Sequence, residues 1–493
     1  MKVDRKEIRA KAEELCRSAH IPSVSMTVLQ DGIAESVVVG EKDIDQHIPA
    51  DVDTVYSIGS CTKSFTAAAI GVLCDRGQLE LDAPVRRYMP EFEMYDPYVG
   101  EHLTVRDTLC HRCGLPRHEL AWYPRLLSYG EKDIFRMLRA LRPNEPFRYK
   151  MQYQNIMFTL AGMLIERVSG MSWRDFVEEN LIQPLGIGRV TYDAPELLQH
   201  PARAKGYCWF DGADAGLREM PYSRLGVMCA AGSMSMTSRQ LAKWDAMFLN
   251  KGRSEDGAQV LSEKMVQEMT SPQMIISDPI IPPMQDVQDM CAYGLGFFLE
   301  TYRGVKVIHH GGYIDGFIAD QCFVPDRNFA CTVLTNAECQ IGARTMRYLM
   351  LDQLLDAEPT DWIGRFETYQ AELKKAQQDA RTDEEKRAAV SAAHPCPVAL
   401  EEIEGRYDNE GYGDICVAAE NGGLTVQLGT ISLSGKHYRD QYFLFEEPRI
   451  MPGEEILGSV DVDREGRVTG FALALEKTDP KPVLFEKNKN KNR

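Results

Sequence analysis

A mixed α/β (α+β) fold, with an antiparallel sheet flanked by helices and a small antiparallel β-barrel at the C-terminal end, is what the sequence predicts. Three observations carry that expectation. Helical apolar spacing alternates with proline- and glycine-rich loops to about residue 250. From Tyr293 the runs YGLGFFLE, KVIHHGG, ADQCFVP and ACTVLTN are short and apolar or alternating, at hairpin-like intervals. Beyond Pro397 further strand-like pieces follow one another, cut by turn residues. Because 493 residues exceed what one core usually serves, we divide the chain into a mixed domain over 1–358, a helical linker over 359–396 and the barrel over 397–493.

Taken in order, residues 2–18 have amphipathic helical spacing, and the strand-like runs 23–29 and 34–39 are split by Asp31 and Gly32, a hairpin signal. Over residues 55–73, VYSIGSCTKSFTAAAIGVL, a polar turn runs into an alanine-rich apolar stretch, as at a helix start. Residues 77–84 close one element and begin another; 163–168 and 173–180 are apolar at helical spacing, with Gly186 as their stop. Residues 366–393 are charged, glutamine-rich and free of proline and glycine, which reads as a surface helix leading out of a domain. In the barrel, GRYDN, DICVAAE, LTVQLG, QYFLFEE and GSVDVDREGRVTGFALAL are cut at Asn421-Gly422-Gly423, Pro452-Gly453 and Glu465-Gly466, and the tail EKNKNKNR is charged and frayed.

Composition excludes some partners. A formal net charge of −17 repels nucleic acid and anionic membrane surfaces. The charged start MKVDRKEIRAKAEELC lacks the apolar centre of a secretory signal, and no stretch has the roughly 18 uninterrupted apolar residues of a membrane helix, so a cytoplasmic location is expected. Thirteen cysteines without a regular framework fit reduced thiols packed as small core residues. Cys110 and Cys113 have half-site spacing with no second half, and His309 and His310, adjacent on a strand, face opposite sides. No metal or organic cofactor is expected.

Chemistry concentrates in three places. Ser60 and Lys63 are three residues apart, which on a helix sets a hydroxyl beside an amine on one face. An amine whose pKa is lowered by burial or nearby positive charge serves as the base that serine needs. Cys61 points about 100° away, off the face Lys63 shares. Tyr153 and Asn155 lie in a polar loop before a helical run, where a phenol passes protons and an amide bonds both a lysine and a substrate carbonyl. His310, Gly311, Gly312 and Tyr313 follow a strand; paired glycines let the backbone approach a ligand, and an N–H there completes an oxyanion hole with that of Ser60.

In this order and at these separations, with the flanking phrases LTVRDTLCHRCGLP, FRYKMQYQNIMFTLAGMLIERVSGMSW, CAAGSMSMTSRQLAKW and FVPDRNFACTVLTN, the motifs resemble the serine β-lactamase and penicillin-binding-protein superfamily over roughly residues 10–355. The similarity is to its class C-like branch of β-lactamases, esterases and D-aminopeptidases. The resemblance implies Ser60 as the acylated nucleophile, Lys63 as its base, Tyr153 as the proton carrier to the leaving group, and Asn155 in contact with Lys63 and substrate. It places His310, Gly311 and Gly312 where the family often has Lys-Thr-Gly, with the Tyr313 N–H joining that of Ser60. His-Gly-Gly lacks both the fixed cation and the hydroxyl that hold a substrate carboxylate, which favours amidase, D-peptidase or esterase chemistry over penicillin turnover.

The barrel resembles, by position and strand pattern, the lipocalin-like module of some such peptidases, where it borders the active site or aids oligomerisation. The expectation is therefore a serine hydrolase cleaving an amide or ester in a small-molecule or peptide substrate, D-amino-acid-containing peptides above all. Its alternatives are a β-lactamase, an acyltransferase or peptide cyclase, and a non-catalytic acyl-binding sensor. Neither nucleic acid nor membrane is an expected partner, and a homo-oligomer is compatible with the reading.

Overall fold

Nine antiparallel strands form one sheet in the order Ile48–Pro49, Ile33–Asp43, Ser23–Gln30, Phe329–Thr335, Phe317–Val324, Val305–Ile314, Phe298–Tyr302, Gln288–Tyr293 and Met274–Ile275. This is a computed structural model, which describes residues 2–210, 215–339, 341–380, 384–447 and 455–488. The expected N-terminal hairpin is present. Gln30 pairs with Ile33 across Asp31 and Gly32, whose φ of 52° and 79° match the two-residue turn that suits the strand twist. The pairing of Ser23–Gln30 with Phe329–Thr335 then joins the two ends of the domain at mid-sheet.

Helices cover both faces of the sheet, which is why the central strands are apolar runs without clean alternation. Phe329, Cys331 and Val333 pack with Ile8, Leu15 and Met346 of helices Arg5–Ser18 and Gly342–Leu354. Ala330 and Leu334, pointing the other way, join the core of Leu241 and Phe248 from helix Ser238–Leu249. Helix Thr62–Asp75 lies within that second core, buried without interruption from Thr62 to Leu73. An alanine-rich sequence suits it, because helix Asn155–Ser169 is buried alongside and the two must pack closely.

Helix Trp362–Ala380 begins inside the first core, where Trp362 and Phe366 are buried and the indole donates to Asp352 at 2.7 Å. From residue 367 it turns outward as a largely exposed, charged helix, so the surface character read from its composition starts one turn later than its first residue. The C-terminal residues form a closed barrel of eight strands. Two of these, Ile431–Arg439 and Val483–Lys487, were not among the expected pieces. The first is broken in pattern by Gly435, where a methyl group would fall 2.4 Å from the Phe445 ring; the glycine makes room for an aromatic residue of the next strand. Inward residues such as Tyr407, Ile415, Val426, Leu433, Phe471 and Phe485 are fully buried. The turn read at Pro452-Gly453 and the tail beyond residue 488 lie outside the described residues.

The barrel docks on residues 118–144 of the larger domain. Thr430 N–H donates to the Pro124 carbonyl at 2.9 Å, Asn144 donates to the Thr478 carbonyl at 2.9 Å, and Arg139 pairs with Glu410 at 3.0 Å.

Under the sheet, Arg347 is a buried cation that holds two strands to one helix. Its Nη1 donates to both oxygens of Asp320 at 3.0 and 2.9 Å, while Nη2 lies 3.7 Å from Glu300. Burial raises the Asp320 pKa against the pull of the guanidinium, so this carboxylate depends on its partner to stay charged. Truncating one member of such a group strands the others in a dry interior. Arg347→Ala is expected to cost about 3–5 kcal/mol in urea unfolding, and a loss under 1 kcal/mol would contradict this account.

Candidate active site

Ser60 sits in the single turn Gly59–Cys61, which runs directly into helix Thr62–Asp75. One turn on, the Lys63 side chain comes back to the same face with its Nζ 3.0 Å from Ser60 Oγ. Lys63 is 0% exposed, whereas Ser60 is partly exposed, so the hydroxyl meets solvent and the amine does not. The amine donates to the Ala231 carbonyl at 2.6 Å and lies 4.9 and 5.4 Å from the ring centroids of Tyr153 and Phe158. No ion pair involves it among the described residues. Burial drives its pKa well below the ordinary lysine value, and the Arg117 guanidinium pushes the same way, with Glu119 and Cys61 opposing. The amine beside the Ser60 hydroxyl thus gives up its proton far more readily than an exposed lysine does.

The Tyr153 hydroxyl is buried and makes no hydrogen bond within normal geometry. Burial raises its pKa, while its nearness to Ser60 and to Arg117 pulls in the other direction. The ring is held by aromatic neighbours, with the centroid of His111 at 4.3 Å and that of Phe298 at 6.4 Å.

Asn155, the first residue of helix Asn155–Ser169, departs from its expected contact. Its Nδ2 donates to Glu119 Oε1 at 2.8 Å, and no hydrogen bond joins it to Lys63. The Glu119 carboxylate, a strong acceptor, draws the Asn155 amide to itself, while Lys63 donates to the Ala231 carbonyl.

His310 is buried at 1% exposure, and both ring nitrogens are engaged. Nδ1–H donates to the Gly311 carbonyl at 2.6 Å, which leaves Nε2 to accept from the Tyr293 hydroxyl at 3.0 Å. Burial, assisted by Lys63, lowers its pKa to about 3, so the ring is neutral. It supports the wall of the site from behind. Its carbonyl also accepts from Cys61 Sγ at 3.2 Å, which fixes that thiol away from Ser60.

The strand Val305–Ile314 brings backbone against the turn that carries Ser60. A methyl group on Gly312 would lie 1.8 Å from the Ile58 carbonyl oxygen and 3.1 Å from Ser60 N. One on Gly59, whose φ is 48°, would lie 2.7 Å from Tyr313 N. Two glycines thus lie at the contact, and only their missing side chains let the backbone around Ser60 come against that of Gly312 and Tyr313. At Gly311 a methyl group meets nothing nearer than 3.8 Å.

Several site residues carried no signal that sequence reasoning used. His111, inside the quoted phrase LTVRDTLCHRCGLP, is fully buried, accepts from Gln154 N–H at 3.0 Å and packs on both Tyr153 and Tyr293. Arg117 lies 5.1 Å from the Tyr153 centroid and pairs with Glu119 at 2.9 Å. Ala231 contributes only a carbonyl, which no side-chain motif reveals. Cys110 and Cys113 are buried free thiols whose pKa values burial pushes up to about 12. Among the described residues no three His, Cys, Asp or Glu side chains cluster as a metal site would require, and no helix is long and apolar enough to cross a membrane.

With this geometry, residues 8–354 match the family model described as Beta-lactamase, and the chain belongs to that family. Among characterised relatives, an unguisins hydrolase of Aspergillus campestris is 28% identical over 386 residues, 73% of this chain and 68% of the relative. The flp protein of Staphylococcus aureus strain MW2 is 23% identical over 68% of this chain and 63% of its own; the chain spans about two thirds of such relatives. Among solved structures, the octameric penicillin-binding protein homologue from Pyrococcus abyssi aligns over 98% of this chain and 100% of its own, with a TM-score of 0.60 and 20% identity. The D-amino acid amidase of Ochrobactrum anthropi SV3 aligns over 71% and 97%, with a TM-score of 0.58 and 24% identity. At these identities both structures report on the fold.

The two glycines of the strand make different demands. Gly312→Ala is expected to slow covalent labelling of Ser60 by a fluorophosphonate on the order of 100-fold, as when one oxyanion donor is lost. Gly311→Ala should label almost as the parent does, and equal rates for the two variants would contradict the close approach described above.

Proposed function

We propose that the chain is a serine hydrolase that cleaves an amide bond beside a D-configured residue, through an acyl-enzyme on Ser60. The observation that carries the reading is the fully buried Lys63 amine 3.0 Å from Ser60 Oγ. As Oγ attacks the carbonyl carbon, the neutral amine takes its proton, and the C=O π pair moves onto oxygen to give a tetrahedral oxyanion. The N–H groups of Ser60 and Tyr313 receive that oxyanion without reorganising. Tyr153 passes a proton to the leaving nitrogen as the C–N bond breaks; water, activated by the same groups, then attacks the ester and restores Ser60. The larger domain over 1–358 would carry this chemistry, with the 359–396 helices joining it to the barrel.

Two relatives support a hydrolytic reading, an unguisins hydrolase and a D-amino acid amidase, and the second of them favours amide substrates. The neutral His310 supports the same choice, since the strand offers no fixed cation at that position for a β-lactam carboxylate. The deciding experiment pairs intact-mass analysis after fluorophosphonate treatment with a panel of D- and L-amino-acid amides, esters and a chromogenic β-lactam. One adduct, absent from Ser60→Ala, with turnover of D-amides ahead of the rest, is the expected outcome. Folded protein that takes no adduct would defeat the reading.

The sign of the pH dependence follows from Lys63. The amine acts only when deprotonated, above its own pKa, and burial places that pKa well below the ordinary value. Activity is therefore expected to rise with pH through the lowered value and to level off in the mildly alkaline range; a maximum near pH 5 would contradict a lysine base. Tyr153→Phe keeps the ring packing but removes the proton carrier, for an expected loss on the order of 100-fold or more in kcat, measured on an amide at the plateau.

A further inference from the structure

One route from the barrel to the site runs through His118. His118 has a left-handed backbone, φ 47° and ψ 40°, and is 4% exposed. Its N–H donates to Glu476 Oε2 at 2.8 Å, and its Nδ1 lies 2.7 Å from the Tyr412 hydroxyl, both on the barrel. Because Nε2–H donates to the Arg142 carbonyl at 3.1 Å, Nδ1 is the acceptor and the Tyr412 O–H the donor. Both barrel residues are themselves fixed. Tyr412 N–H is bonded to Asn409, and the other oxygen of Glu476 accepts from Thr478 N–H and Oγ–H.

The residues on either side of His118 point the other way. Arg117 is half-exposed over Tyr153, and Glu119, paired with it, accepts from Asn155. A left-handed residue that is not glycine is costly and persists only when its surroundings fix it. Here the barrel supplies two of those fixing contacts and Arg142 a third, and the conformation sets a cation and an anion on the rim of the acyl site.

We infer that the barrel governs which acyl donors are accepted, with Tyr412 and Glu476 as positioning residues that act through His118 on the charged rim of Arg117 and Glu119. The substrate class so selected is acyl donors carrying a charged group near the scissile carbonyl, and the inference rests on the serine hydrolase reading above. Neutral donors make no charged contact with the rim, so their KM follows its position little, while the effect of Arg117 on Lys63 is common to both donor types.

The test uses the full chain and the variants Tyr412→Phe, Glu476→Ala, and Arg117→Ala with Glu119→Gln, alone and combined with Tyr412→Phe. Three quantities are read: the fluorophosphonate labelling rate at Ser60, kcat and KM on charged and neutral D-amino-acid amides, and amide hydrogen exchange over residues 117–122. Tyr412→Phe is expected to raise KM for charged donors roughly tenfold, the scale of one buried hydrogen bond, with labelling and neutral donors within about twofold of the parent. In the rimless background it should change nothing further, and in Glu476→Ala the exchange of the His118 amide should quicken. An equal loss on both donor types, the same loss without the rim, or unaltered exchange would overturn the inference. Failure of the parent to label would instead overturn the hydrolase reading, and the selection claim with it.

Discussion

An amine kept from water within reach of a hydroxyl is the constraint on which this structure turns. An ammonium gives up favourable hydration when buried, and the cheaper outcome is to lose the proton. For Lys63 that requires enclosure on every side. The sheet, the alanine-rich helix around it, the helix Asn155–Ser169 and the Ala231 carbonyl supply that enclosure. Two buried indoles help to hold the helix Thr62–Asp75 in place: Trp173 donates to Thr66 at 2.9 Å, and Trp244 donates to Ser64 at 3.0 Å. Thr66 in turn donates to the Ala230 carbonyl at 2.7 Å, next to the carbonyl that Lys63 uses. The polar groups of an otherwise apolar helix thus have partners and keep water out of its surroundings.

What could be read in the sequence was whatever depends on neighbours along the chain. The hairpin at Asp31 and Gly32 is a local demand for positive φ, and the 3.0 Å Ser60–Lys63 approach follows from helical spacing. The roles of Asn155 and His310 were harder, because hydrogen bonding to distant groups decides them. Glu119 takes the Asn155 amide, and Tyr293 takes the second nitrogen of His310. His111, Arg117 and Glu119 belong to no spacing pattern at all; they reach Tyr153 and Asn155 only because the loop carrying them folds back. In the barrel, Ile431–Arg439 escaped notice since its glycine looks like a break until Phe445 is laid over it.

The wall opposite Ser60 shows how a site is made by leaving atoms out. A strand edge and a helix start approach to backbone contact at Gly59 and Gly312, and a neutral histidine behind them holds a tyrosine in place. The adjoining Gly311 is sterically undemanding. A paired-glycine motif can therefore conceal one indispensable position and one permissive one, and the sequence treats them alike.

The sheet order carries a consequence for how the chain is made. The strand Ser23–Gln30 has its long-range partner in Phe329–Thr335, about three hundred residues later. As synthesis proceeds from the N-terminus, the early hairpin exposes one unpaired, apolar edge until that partner emerges. Closing so long a loop is entropically unfavourable and slow, which marks this fold as one of high contact order. The nascent chain thus has a long interval in which its first strands are open to other chains, and a chaperone that shields a strand edge would serve it there.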